Sequence, residues 1–254
     1  MIKKEKMRRR QANRSKEPAQ PRAVDIDSWN PRTSLGKKVK NREITHIDEI
    51  LDNNLRIMES TIVDVLMPHM QTDLLMIGQS KGKFGGGQRR VFRQTQKKTK
   101  EGNKPRFATI AVIGNNDGYV GIGYGKSKET VPAREKAIRN AKLNIIKIVR
   151  GNGSWEDNSI EPTSIPYVVE GKCGSVRVRL LPAPRGTGLK VEKECAKILK
   201  MAGIQDVWSQ RFGKTGTKIN LIYALVDALK KMSQVKVTKQ VREKIGMIEG
   251  SIST

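Results

Sequence analysis

Cysteine and histidine are both scarce in this chain of 254 residues, which contains two of each. Cys173 and Cys195, like His46 and His69, stand far apart and show no spacing typical of a zinc site or a disulfide framework. We therefore expect two buried, reduced thiols. We expect neither a metal site nor a bound cofactor.

Long apolar runs are also missing. No stretch approaches the length that crosses a bilayer, and the opening residues, MIKKEKMRRRQANRSK, lack the apolar centre of a secretory signal. Aromatic residues make up only 4% of the chain, too few for a platform that stacks single-stranded bases. We expect a soluble cytoplasmic protein without such a platform.

Acidic residues are outnumbered, with 25 Asp and Glu against 50 Lys and Arg, which gives a formal net charge of +25. Residues 1–24 carry +7, residues 78–106 carry +9 and residues 126–150 carry +6, together 22 of the 25 charges. A merely solvated surface would mix both signs more evenly. Clustered cations gain affinity by releasing counterions from phosphates, so the pattern predicts a polyanionic partner.

Composition divides the chain into two folded units with flanking segments. A disordered basic tail is expected first, then an extension with a short helix at HIDEILDNN. A linker rich in Gly, Ser, Asn and Pro separates the units. The predicted boundaries are 1–24 for the tail, 25–77 for the extension, 78–150 for the first unit, 151–164 for the linker, 165–233 for the second unit and 234–254 for a C-terminal tail.

The first unit reads as strands followed by a helix. RRVFRQTQ, RFATIAVIG and YVGIGYG are the predicted strands, with KKTKEGNK as a polar loop and NNDG as a hairpin turn. A helix is predicted from Thr130 to Val149. One arc of this helix is apolar and holds Ala133, Ala137, Ala141, Ile145 and Ile148. The opposite arc is basic and holds Lys136, Arg139, Lys142 and Lys147. The pattern predicts an α+β unit, a three-stranded antiparallel sheet crossed by a helix, of the double-stranded-RNA-binding type.

The second unit alternates strands and helices. IPYVVEGK, GSVRVRLLP and IQDVW read as strands, and LKVEKECAKILKMA and KINLIYALVDALKKM as helices. This order predicts a two-layer α/β sandwich.

The stretch GYVGIGYGKSKE resembles a phosphate-binding loop but has the wrong spacing. The position five before Gly125 is Val120, whereas a P-loop requires glycine there. Gly121, Gly123 and Gly125 instead alternate within a strand and share one face. We expect that bare face to let a helix or an RNA backbone come close.

PAPRGTGL has two readings. Gly186 and Gly188 free the backbone before a predicted helix, and Arg185 could bind phosphate oxygens, as in a small-molecule kinase. The same glycines also suit an ordinary connection from strand to helix. Asp206 and Asp227 are available carboxylates, but they form no convincing metal and acid constellation, so no catalytic residue is predicted.

Basic residues are the candidate RNA contacts. A long basic hairpin follows folded RNA through phosphate contacts, with little readout of sequence. The candidates are Lys81, Lys83, Arg89, Arg90, Arg93, Lys97, Lys98, Lys100, Lys104, Arg106, Lys126, Lys128, Lys136, Arg139, Lys142, Arg177, Arg179, Arg185 and Lys214.

Four motifs in order resemble the family of the fifth small-subunit ribosomal protein, in its archaeal and eukaryotic type. They are IAVIGNNDGYVGIGYGKSKE, AIRNAKLNIIKIVRGNGSWE, VVEGKCGSVRVRLLPAPRGTG and MAGIQDVW. SWNPRTSLGKKVK is similar to the N-terminal extension of that type, and the resemblance covers about residues 28–232.

The resemblance implies a double-stranded-RNA-binding-like domain followed by the α/β C-terminal domain of that family. It implies a non-enzymatic protein that binds small-subunit rRNA, contacts the fourth and eighth proteins of the subunit, and supports translational accuracy. It also implies a place along the channel by which mRNA enters the subunit. By position, Lys97 to Lys104 match the accuracy-linked loop of the family.

Two other interpretations stay open on the residues alone. One is a free-standing factor that binds double-stranded RNA outside the ribosome. The other is a small-molecule kinase-like phosphotransferase that uses PAPRGTG.

Overall fold

The computed structural model describes residues 29–82, 87–157, 159 and 161–251. The predicted basic tail and Lys83 lie outside the described residues. Within the described part of the chain, no helix is long and apolar enough to cross a membrane.

The predicted strands and helices are present in order, together with elements that the sequence analysis did not predict. The helices are α1 Ser34–Lys40, α2 Ile47–Asp52, α3 Ser60–Leu66, α4 Thr130–Leu143, α5 Lys193–Met201, α6 Lys218–Met232 and α7 Lys239–Ile245. The strands are β1 Gln71–Leu75, β2 Arg93–Thr99, β3 Gly102–Gly114, β4 Tyr119–Ser127, β5 Ile145–Lys147, β6 Val149–Arg150, β7 Val169–Cys173, β8 Val176–Pro182, β9 Leu189–Lys190, β10 Val207–Phe212 and β11 Ile248–Glu249.

The first sheet is built around the long strand β3. Antiparallel β4 pairs with one edge of β3, and β5 follows β4. On the other edge, β2 pairs with the first half of β3 and β1 with the second half. The α+β prediction is confirmed. The sheet has five strands rather than three, because β1 from the predicted extension and β5 from the predicted helix both join it.

Helix α4 ends at Leu143, six residues before the predicted end. Residues 145–147 and 149–150 are strands instead. This segment, IIKIVR, is rich in β-branched side chains, which favour a pleated strand over a helix. Ile145 and Ile148 are buried as predicted, but they lie in the strand segment that follows α4 and not in a helix.

The glycine face of β4 lies directly against α4. A Cβ atom added to Gly123 would overlap the backbone of Ala137 and Ala141. Gly121 and Gly125 meet the same helix in the same way. The expectation of a close approach is therefore correct, and the approaching backbone is that of α4.

In the second unit a strand glycine also lies directly against a helix backbone, which sequence analysis did not predict. A Cβ atom on Gly171 of β7 would overlap the backbone of Ala224 and Ala228 in α6. The sheet order is β7-β8-β10-β9, with β9 parallel to β10 and α5 between them in the chain. The predicted α6 and the alternation of buried and exposed residues in β8 are both confirmed.

The two units share a core because the first sheet is covered on both faces. Ile110 and Val112 of β3 belong to the cluster that includes α5 and α6. Ala111 and Ile113, which point the opposite way, belong to the cluster formed by α4 and the helices of the extension. Hydrogen bonds cross the junction as well, from Asn116 N to Met201 O at 2.9 Å.

The C-terminal segment folds back onto the first unit. β11 pairs antiparallel with β6, and Gly250 N donates to Ile148 O at 3.1 Å. The predicted polar tail thus includes a helix and a strand. The predicted linker is packed too, since Ser164 is buried and pairs with Gly151.

Candidate nucleic-acid interface

Strand register places five basic residues on one face of the first sheet. Lys97 pairs with Lys104, and Arg93 and Lys126 both pair with the same residue of β3. Arg106 lies two positions from Lys104 and therefore shares its face, since side chains alternate along a strand. The five cations continue the face of β3 that is covered by the second unit further along.

Four of the five cations lie on the β2–β3 hairpin, which has little packing of its own, and Lys126 lies in β4. The first five residues of β3 and most of β2 are exposed. Lys97 stands directly opposite Lys104, a like-charge arrangement that destabilises a strand pair. The only acid in the turn, Glu101, lies 2.6 Å from Lys104 Nζ. A bound polyanion would relieve this repulsion.

The predicted polar loop KKTKEGNK is wrong, because β2 and β3 pair through most of it. Lys97 and Lys98 lie in β2, and Lys104 lies in β3. The turn is Lys100-Glu101, and it closes through Gly102 at a φ of 109°. The lysines therefore have a fixed register rather than the freedom of a loop.

A basic hollow of about 440 Å³ adjoins this face, where β4 leads into α4. Arg106, Lys126 and Lys128 line it with Ser127, Glu129 and Pro132. No side chain caps the N-terminus of α4, so its first N–H groups favour an anion.

The basic stripe predicted for α4 is half neutralised by the extension, and its last member, Lys147, lies in β5. Lys142 Nζ lies 2.5 Å from Asp64 Oδ1, and Lys147 lies within 3.2 Å of Asp48 and Asp52. Burial disfavours the charged form of Lys147, but hydrogen bonds to the two carboxylates outweigh it and raise the pKa. Lys142 therefore makes an intramolecular ion pair, and its assignment as an RNA contact stays a prediction.

The remaining candidates differ in exposure. Arg89 is half-buried, and its Nη1 donates to Gly78 O at 3.4 Å. The exposed candidates are Lys81, Arg90, Arg93, Lys97, Lys98, Lys100, Lys104, Arg106, Lys126, Lys128, Lys136, Arg139, Arg177, Arg179, Arg185 and Lys214.

The basic residues of the second unit lie on other elements than the hairpin and are partly paired. Arg177 and Arg179 lie on the side of the second sheet opposite its buried valines, and both reach Glu170. Arg185 Nη1 lies 2.9 Å from Glu161. Lys214 lies in the connection between β10 and α6.

The PAPRGTGL loop does not lead directly into a helix, as the sequence analysis expected. It leads into β9, and two of its N–H groups already bind carboxylates. Arg185 N donates to Asp157 at 3.1 Å, and Gly188 N donates to Asp206 at 2.7 Å. Hydrogen bonds from the Ser159 and Arg185 backbones lower the pKa of Asp157, so it is a charged occupant.

The other carboxylate considered for catalysis also has a structural role. Asp227 accepts a hydrogen bond from Lys172 N at 3.0 Å and an ion pair from Lys231 at 2.9 Å. The Lys231 hydrogen bond is the main cause of its lowered pKa. Among the described residues, no group of three or more His, Cys, Asp or Glu side chains could hold a metal ion.

Two family models match this chain. Residues 91–149 match the family described as ribosomal protein S5, N-terminal domain, and residues 171–244 match ribosomal protein S5, C-terminal domain. The first range holds the basic hairpin and α4. The second holds most of the α/β unit.

Curated relatives match along nearly the whole chain. The small ribosomal subunit protein uS5 of Nanoarchaeum equitans is 51% identical over 229 residues, 90% of this chain and 98% of the relative. The proteins of the same name from Methanocaldococcus jannaschii and Staphylothermus marinus are 42% and 45% identical, over 90% and 81% of this chain and 98% and 89% of theirs. The chain therefore belongs to the ribosomal protein S5 family.

Proposed function

We infer that this protein is a non-enzymatic, structural constituent of the small ribosomal subunit in the cytoplasm, where it binds folded small-subunit rRNA. The observation that carries this proposal is the alignment of Arg93, Lys97, Lys104, Arg106 and Lys126 on one face of the first sheet. Rigid cations in register suit the regular phosphate spacing of folded RNA.

We propose a more specific role from the resemblance to the family. The exposed β2–β3 hairpin suits a position along the channel by which mRNA enters, where it would support translational accuracy. The neighbouring proteins would be the fourth and eighth of the subunit. Support for this placement comes from the family resemblance and from the hairpin, which extends beyond the packed core.

A free-standing factor for double-stranded RNA is the weaker alternative. Such a factor would depend on the exposed side of α4, as the basic stripe of that helix suggests. Asp64, Asp48 and Asp52 take up two of the four cations of the stripe. The charge that remains free is on the hairpin, which favours a shaped RNA surface over a plain duplex.

Cosedimentation with small subunits tests the proposal. We would replace Arg93, Lys97, Lys104 and Arg106 with Gln and compare this variant with a control in which Lys230, Lys236, Lys239 and Lys244 become Gln. Both variants lose four exposed charges. The hairpin variant should leave the subunits at moderate salt, while the control stays bound. Equal losses in the two variants would show that net charge, and not this face, carries binding.

A further inference from the structure

A second hollow, of about 220 Å³, lies beside the basic hollow. It lies between the paired arms of residues 78–82 and 87–92, the root of the β2–β3 hairpin and the start of α4. Its lining residues are Gln79, Arg90, Val91, Phe92, Gln94, Phe107 and Thr130.

The lining has the chemistry of a nucleobase site. Phe92 and Phe107 are half-buried, and they are two of only four phenylalanines in the chain. The side-chain amides of Gln79 and Gln94 have no hydrogen-bond partner in the described part of the protein. An amide supplies both donors and an acceptor, which matches the edge of an unpaired base.

The position beside the basic hollow supplies the rest of a nucleotide site. Phe107 points to the opposite face of the sheet from Arg106 and Lys126, since side chains alternate along a strand. The two hollows meet instead at the start of α4, where Thr130 lines the aromatic hollow and Glu129 and Pro132 line the basic one. The cations of one can hold a phosphate while the phenylalanines of the other hold the attached base.

The size and charge of the hollow argue against a protein occupant. A volume of about 220 Å³ accepts one planar ring but no helix or strand. The charged member of the lining is Arg90, and the neighbouring hollow adds Arg106, Lys126 and Lys128. An anionic ligand with one aromatic ring fits both hollows together.

We propose that this hollow takes one unpaired nucleotide of the RNA, with the base against Phe92 and Phe107 and its edge at Gln79 and Gln94. This proposal rests on the proposed function, since it assumes that the neighbouring cations bind RNA. It adds to that function a contact that recognises a base, whereas the hairpin cations contact only phosphates.

Anisotropy titrations with two labelled RNA hairpins test the proposal on the full chain. One hairpin is fully paired, and the other is identical except for a single unpaired nucleotide. Stacking of a base on an aromatic side chain corresponds to about a tenfold gain in affinity or more. We expect the wild type to prefer the bulged hairpin by about tenfold, and Phe92→Leu, which keeps the apolar volume, to lose that preference.

Gln94→Val and Gln96→Val form a matched pair. Gln94 and Gln96 are exposed on the same side of β2, but only Gln94 lines the hollow. Gln94→Val should weaken binding to the bulged RNA alone, and Gln96→Val should weaken neither. Equal binding of the two RNAs by the wild type, or equal effects of the two variants, would overturn the nucleotide site and leave the proposed function intact. Failure to bind either RNA at low salt would overturn both.

Discussion

Arg150 Nη2 lies 2.5 Å from Asp117 Oδ1, and it also donates to Gly250 O at 2.9 Å. The Arg150 side chain is 4% exposed. One guanidinium thus joins the turn between β3 and β4, the end of β6 and the C-terminal segment. Asp117 also accepts a hydrogen bond from Ser251 Oγ.

Arg150→Ala should lower the free energy of unfolding by about 3 kcal/mol, because it removes a nearly buried guanidinium that donates to both the Asp117 carboxylate and the Gly250 carbonyl. Urea denaturation measures this change. Arg179→Ala is the control, since Arg179 and Glu170 form an exposed pair that contributes about 0.5 kcal/mol or less. Similar losses of unfolding free energy in the two variants would contradict the role of Arg150 in joining the three segments.

Gly123→Ala should destabilise the protein by about 2–3 kcal/mol, because its Cβ would overlap the backbone of α4. Gly216→Ala serves as the control: a Cβ there meets nothing within 4 Å. Thermal melts of both variants provide the comparison. A Gly123→Ala variant as stable as the wild type would contradict the close packing of β4 on α4.

Replacement of Lys97, Lys98 and Lys100 with Gln should impair decoding or assembly and leave the fold intact. All three are exposed, and removal of Lys97 relieves its repulsion of Lys104. The melting temperature should therefore stay the same or rise slightly. Misreading reporters and subunit profiles give the functional result, and wild-type values in both would refute the accuracy assignment.

Lys142 and Lys136 should behave differently although both lie on α4. Lys142→Gln breaks the pair with Asp64 and should reduce stability with little change in RNA affinity. Lys136→Gln should leave stability unchanged. It should reduce the slope of log K for RNA binding against log salt concentration by about one, as expected for one lost phosphate contact. If Lys142→Gln instead weakened RNA binding and left stability unchanged, Lys142 would be an RNA contact.

Cys195 should resist thiol reagents in the native protein. Burial raises its pKa to about 12, whereas an unfolded cysteine titrates near pH 8.5. The thiol is therefore neutral in the fold, and stability should fall as the pH rises from about 8.5 towards 12, where only the unfolded chain loses the proton. Cys173 is half-buried rather than buried as expected. Near pH 8, Ellman's reagent should therefore modify Cys173 in the native protein and Cys195 only in denaturant. Rapid native labelling of a Cys173→Ala variant would contradict this.

The close approach of β4 and α4 was predictable because both partners carry a local pattern. Glycines alternate in the strand, and Ala133, Ala137 and Ala141 recur at helical spacing. The end of α4 was not predictable from the same pattern. Ile145 and Ile148 continue the helical spacing by coincidence, and only Asn144 indicates the stop.

The neutralised cations could not be predicted, because their partners are distant in sequence. Asp64 and Lys142 are 78 residues apart, and Asp52 and Lys147 are 95 apart. The carboxylates that occupy the PAPRGTGL loop, Asp157 and Asp206, are likewise brought there only by the tertiary fold. Charge clustering alone therefore predicted that the interface is positively charged. It did not predict which of the basic residues remain free of intramolecular ion pairs.

The pairing of β11 with β6 has a consequence for biosynthesis. Domains generally fold in order as the chain leaves the ribosome, yet β6, at the end of the first unit, lacks its pairing partner until residues 248–249 have been made. A nascent chain that stops early leaves Arg150 uncovered and the last backbone pairing unmade. Premature termination should thus yield a product that cellular proteases can distinguish from the finished protein.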